Sequence, residues 1–154
     1  MKILFLGDVV GHPGRKAVKV LVPRLVSEHG VSLVVANVEN AAGGVGVTPD
    51  IVDELLDAGV QVMTSGNHIW DKKEVLDVMG FEPRLLRPLN YPSGNPGRGM
   101  VVVKTDGGVK VGVINVEGNV FMRPKSCPFQ AVREALETVR QETRIVIIDV
   151  HAEA

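Results

Sequence analysis

The sequence predicts an α/β fold with a mostly parallel sheet and one antiparallel hairpin. Three observations lead there. Short, largely apolar runs, Ile3–Leu6, Leu33–Ala36, Val60–Met63 and Ile145–Ile148, each stop at polar residues. Segments with apolar residues at helical spacing lie between them, the alternation expected of parallel strands linked by crossover helices. Asp106-Gly107-Gly108 separates two further apolar runs, a hairpin signal.

Ile3-Leu4-Phe5-Leu6 ends in Gly7-Asp8 and reads as a central strand covered on both faces. After the loop Val9 to Gly14, Ala17, Val18, Leu21, Val22, Leu25 and Val26 mark a helix over Arg15 to Glu28, stopped by Gly30. Pro23 falls inside it, so a kink or two shorter pieces are expected. Leu33-Val34-Val35-Ala36 leads into Asn37-Val38-Glu39-Asn40, then a glycine-rich stretch to Val47. Thr48-Pro49-Asp50 supplies a capping hydroxyl, a proline for the first helical position and an acid for the first turn. That helix ends at Gly59. Val60 to Met63 delivers Thr64-Ser65-Gly66-Asn67-His68, and Asp71 with Glu74 reads as the cap of a short helix to Gly80. Glu82 to Gly99, dense in proline, glycine and arginine, reads as an irregular surface connection. Met100–Val103 and Val109–Ile114 flank the hairpin turn. Glu117 to Pro128 is irregular, Phe129 to Thr143 helical, and the last strand leads to Asp149 and His151.

Of the 154 residues, 45% are hydrophobic and the formal net charge is -1, which suits one globular domain with a real core. No run of lysine and arginine forms a broad nucleic-acid surface. The single cysteine, Cys127, excludes an intrachain disulfide, and it precedes a proline with no histidine nearby in sequence. Only four apolar residues follow Met1-Lys2 before Gly7, so neither a signal peptide nor a membrane segment is expected and the protein reads as cytoplasmic.

Four strand ends thus carry Asp8; Asn37, Glu39 and Asn40; Asn67 and His68; Asp149 and His151. In open α/β sheets, ligands collect beyond the carboxyl ends of the strands. Carboxylate, amide and imidazole donors together suit divalent ions such as manganese, iron or zinc, and the lack of thiolates argues against a structural zinc site. Singly, each residue has a plainer role as a turn former or helix cap.

In this order Gly7-Asp8, Asn37-Val38-Glu39-Asn40-Ala41 and Gly66-Asn67-His68 with Trp70-Asp71 resemble the calcineurin-like metallophosphoesterases, specifically the YmdB-like branch of bacterial phosphodiesterases. The resemblance implies an α/β sandwich around two divalent or trivalent transition-metal ions of iron, manganese or zinc. It implies that Asp8 and Asn40 hold the first ion, that Glu39 bridges both, and that Asn67 and His151 hold the second. His68 resembles the histidine that is no ligand but protonates the leaving group. The reaction implied is hydrolysis of phosphodiesters such as cyclic nucleotides, 2′,3′-cyclic AMP included, by a water activated between two metals.

Two departures qualify this. Val10 stands where most of the superfamily has a histidine, a loss the YmdB-like branch shares. The family's His-x-His pair does not occur before Ala154, so the expectation is a single metallophosphoesterase domain over 1–154 that is the amino-terminal portion of a longer protein, inactive alone for want of ligands. A homo-oligomer would cover the surface such a sheet leaves open.

Other readings fare less well. His29, before Gly30, suits a helix carboxyl end. His12 reads as a loop contact, and Arg84, Arg87, Arg98 and Arg123 as surface residues within reach of a phosphate. Gly43-Gly44-Val45-Gly46 fits neither the dinucleotide fingerprint nor the P-loop. Val9 lacks the hydroxyl of a Gly-Asp-Ser esterase, and Val10 the second carboxylate of an aspartyl phosphotransferase. The alternative from another class is a non-catalytic nucleotide- or protein-binding module with a vestigial metal site.

Overall fold

A computed structural model of the chain describes residues 1–122 and 126–152. Two three-stranded sheets form it. β1 (Ile3–Asp8), β2 (Leu33–Asn37) and β3 (Val62–Thr64) are parallel in that order. β4 (Met100–Lys104) and β5 (Lys110–Glu117) are antiparallel across the expected hairpin, and β6 (Val146–His151) lies parallel to β5 on its other side. α1 (Gly11–His29) connects β1 to β2, and α2 (Pro49–Asp57) connects β2 to β3. After the turns that follow β3 comes α3 (Leu76–Met79), and α4 (Pro128–Val139) connects β5 to β6.

Strand periodicity decides what each face meets. Val34 and Ala36 of β2 pack with Val18, Val22, Val52 and Leu55 under α1 and α2. Leu33 and Val35 face the other way, onto Val62, Leu86, Val111 and Val113 between the sheets. Ile114 and Val116 of β5 turn toward Ala135 and Val139 of α4. The layers therefore run helix, sheet, sheet, helix, the sandwich expected. No helix among the described residues is long and apolar enough to cross a membrane.

Several local expectations change. β1 is an edge rather than a central strand; among the described residues it pairs only with β2, and Phe5 is 40% exposed. A continuous apolar run does not distinguish the two positions, and β2, buried throughout, takes the centre. α1 starts at Gly11 and runs through Pro23 as one helix. Pro23 is on the exposed side, where water can serve the carbonyl that it leaves without an amide. Thr48 occupies the cap position of α2 without a side-chain capping bond.

The connection 82–99 is not confined to the surface. Its Leu85 and Leu86 are buried beside β3, where Met63 N–H donates to Arg84 O (2.7 Å) and Leu86 N–H to Met63 O (2.8 Å). Arg87 is buried too, its guanidinium donating to the carbonyls of Pro88 (2.9 Å), Pro96 (3.2 Å) and Leu89 (3.4 Å). It clamps the proline-rich loop from within, and burial lowers its pKa. Arg84 pairs with Glu82 at 2.7 Å. Arg123 lies outside the described residues.

Candidate active site

The same periodicity that builds the core between the sheets aims the polar strand ends at one another. Asn37 continues the face of Leu33 and Val35; Asp149 and His151 continue that of Ile147; Asn115 and Glu117 continue that of Val111 and Val113. All look into the gap between the sheets. Asn115 Oδ1 accepts from Ser65 N–H (2.8 Å), fastening the loop after β3 to β5. Asn37 Nδ2 reaches toward Asp149 Oδ2 at 3.5 Å, and Asn37 Oδ1 accepts from Glu39 N–H (3.3 Å), which turns the chain sharply after β2.

Glu39 is the centre of the arrangement. It is 2% exposed; its Oε2 accepts from His68 N–H (3.0 Å) and its Oε1 lies 2.9 Å from His151 Nδ1. His151 Nε2 meets Asn67 Oδ1 at 3.0 Å. The hydrogen bond that His151 donates to Glu39 raises the His151 pKa against the opposing effect of burial, and the charges of Glu39, Glu117 and Asp149 add to it. Asp8 and Asn40 form a second pair, with Asn40 Nδ2 donating to both Asp8 oxygens (3.0 and 2.9 Å). The six residues singled out in the sequence therefore fall into two adjoining groups. Glu39, Asn67, His68 and His151 meet directly; Asp8 meets Asn40. His68 touches Glu39 by its main chain, while its imidazole turns to Asp71.

The donor set fits a cation in chemistry. An ideal Cβ on Gly66 would fall 2.4 Å from His151 Cγ and Cδ2 and 2.5 Å from Glu39 Oε2, so only glycine leaves this cradle open. Among the described residues, no three of His, Cys, Asp and Glu stand close enough to hold an ion by themselves, so the amide oxygens of the asparagines are needed to complete a ligand set.

Sequence reading missed Glu117 and its support. Tyr91 donates to Glu117 Oε2 (2.9 Å), and its ring lies 5.6 Å from that of Trp70, in the turn that carries Asn67 and His68. Burial raises the Tyr91 pKa and Glu117 raises it further. Asn90 brackets Glu117, donating from Nδ2 to its carbonyl (2.7 Å) and accepting its N–H (3.0 Å). One signal was available: the apolar run that ends at Ile114 is followed by Asn115 and Glu117 at alternate positions, another strand end carrying polar side chains on one face. His12 and His29 lie at the two ends of α1, and exposed Cys127 precedes α4.

The chain matches the family model described as YmdB-like protein over residues 4–154. It is 44% identical, over its whole length, to a Bacillus subtilis protein named 2′,3′-cyclic-nucleotide 2′-phosphodiesterase, of which it covers 58%. A Mycoplasma pneumoniae putative phosphatase/phosphodiesterase is 33% identical over 99% of the chain and 56% of its own length. A hypothetical protein of known crystal structure from Thermus thermophilus superposes with a TM-score of 0.89 at 40% identity, with 100% of this chain and 59% of that one covered. The chain thus spans little more than half the length of these relatives.

Proposed function

The chain belongs to the YmdB-like protein family, and on that premise we propose that it serves a phosphodiesterase whose substrates are phosphodiesters of the cyclic-nucleotide class, 2′,3′-cyclic AMP among them. The observation that carries the reading is the meeting of Glu39, Asn67, His68 and His151, from three separate strand ends, around a cradle that Gly66 keeps open. The names of the Bacillus and Mycoplasma relatives support the reaction class.

Asp8, Glu39 and Asn40 are the residues suited to one transition-metal ion, and Glu39, Asn67 and His151 to a second, with iron, manganese and zinc all compatible with the donors. When bound, such a pair supplies positive charge for the phosphate and lowers the pKa of the attacking water. The chain's own groups do the rest. Glu39 holds both oxygens toward the gap, fixed by His68 N–H and His151. His151, held between Glu39 and Asn67, would serve the second ion through a neutral ring nitrogen. His68, whose side chain is 42% exposed, stands at the mouth and donates a proton to the leaving oxygen.

Elemental analysis of the full-length protein, purified without chelator, should find two transition ions per chain. Glu39→Gln and Asn67→Ala should each lower hydrolysis of 2′,3′-cyclic AMP by more than about 100-fold. Undiminished hydrolysis in both variants would remove these residues from the mechanism. The reading from another class is a non-catalytic binding module. Such a module retains its nucleotide or protein partner without turnover, so the same assay separates the two.

A further inference from the structure

Asp71, which the sequence offers as a helix cap, does something else. It is not the N-cap of the helical turns that follow, where Lys72 and Val75 hold those positions; its Oδ2 lies 2.6 Å from His68 Nδ1, and its N–H donates to His68 O (3.0 Å). The cause is local. Asn67–Trp70 is a 3-10 turn, and in that geometry side chains at i and i+3 eclipse, so position 71 falls over position 68. The turn itself is pinned by buried Ile69 and by the bond from His68 N–H to Glu39. Both side chains are largely open to water, at 42% and 45% exposed, where such a pair adds little stability.

What a carboxylate on Nδ1 does change is the ring. It holds the imidazole in one orientation, keeps a hydrogen on Nδ1 and turns Nε2 away from the turn. We propose that Asp71 is a positioning residue for His68, fixing Nε2 as the atom that faces the leaving oxygen of the phosphodiester. The proposal rests on the phosphodiesterase reading of the site. In the step it serves, the phosphorus–oxygen bond to the attacking water forms as that to the leaving oxygen breaks. The Nε2 proton of His68 passes to the leaving oxygen, and the proton released by the water passes to solvent, from which His68 is recharged. The products are a phosphomonoester and an alcohol.

The test compares two substrates on the full-length, metal-loaded protein. A nucleoside 2′,3′-cyclic phosphate expels an alkoxide and needs the proton; bis(p-nitrophenyl) phosphate expels a stable phenolate and does not. Asp71→Asn and Asp71→Ala should lower kcat on the cyclic nucleotide by about 10- to 100-fold with KM little changed, and lower kcat on the nitrophenyl ester by less than about threefold. Asp71→Glu should restore part of the loss. Nitrogen-15 spectra of the His68 ring, taken where it is neutral, should show hydrogen on Nδ1 in the parent and a shifted tautomer balance in Asp71→Ala. Equal losses on both esters at normal metal content, no loss on either, or an unchanged tautomer would overturn the proposal. Should the parent hydrolyse neither ester, the phosphodiesterase reading fails, while the tautomer measurement still decides whether Asp71 orients His68.

Discussion

Replacing Gly66 by alanine puts a methyl group where the His151 ring and the Glu39 carboxylate already are. Either His151 or the loop must move by about an ångström, enough to cost on the order of 100-fold in activity. We expect Gly66→Ala to fold, with a stability loss of about 1–3 kcal/mol by denaturant titration, and to lose most metal and most turnover. Full activity in a folded Gly66→Ala protein would show that the Glu39–His151 approach is not the working geometry. At this scale much was legible, because Asp8, Glu39, Asn40, Asn67, His68 and His151 all stop apolar runs, and strand ends share one rim. Tyr91 and Glu117 were not, since nothing in the spacing of residues 26 apart says that they touch. Asp71 was misread because a cap and an i,i+3 partner share the same short polar signature.

Elements add two tests. Gly112 lies where β5 passes beneath α4, and a Cβ there would fall 2.3 Å from Val139 Cγ1. Gly112→Ala should destabilise by about 1–3 kcal/mol, and Val139→Ala, which costs stability alone, should recover part of that loss in the double variant. Strict additivity in urea unfolding would mean that the helix does not rest on this glycine. The connection 82–99 gives a pH test. The hydrogen bond from Arg84 lowers the Glu82 pKa below 4.5, against the effect of burial. A depressed folded pKa contributes stability above the unfolded value and loses it as pH falls through the folded one. Thermal unfolding between pH 6 and 3 should therefore show a steeper acid loss in the parent than in Glu82→Gln; identical slopes would remove the pair from the acid response. The strands, the hairpin and α4 were legible from period and turn residues. Buried Leu85, Leu86 and Arg87 were not, because composition marks a segment as irregular without saying whether it lies inside.

For the molecule as a whole, the sandwich order follows from the period of each strand, but which strands form edges does not. Among the described residues β1 pairs only with β2 and β6 only with β5. Each leaves apolar side chains open, Phe5 on β1 and Ile148 (39% exposed) and Val150 (58%) on β6. Unpaired strands carrying exposed apolar residues are templates for further pairing. A formal net charge of -1 offers little repulsion against it. A polypeptide of these 154 residues is therefore expected to self-associate at micromolar concentration, seen as a concentration-dependent sedimentation coefficient. Lysine in place of Phe5 or Val150 should reverse it, because a charge on an edge is costly to bury against a second chain. The two edges differ in what lies beside them: β1 ends at Asp8 and β6 at His151, so a strand added to either lies against the candidate site. If association proceeds through these edges, Val150→Lys should lower the sedimentation coefficient without lowering the unfolding midpoint. A monodisperse monomer in the parent chain would show that β1 and β6 are tolerated as free edges.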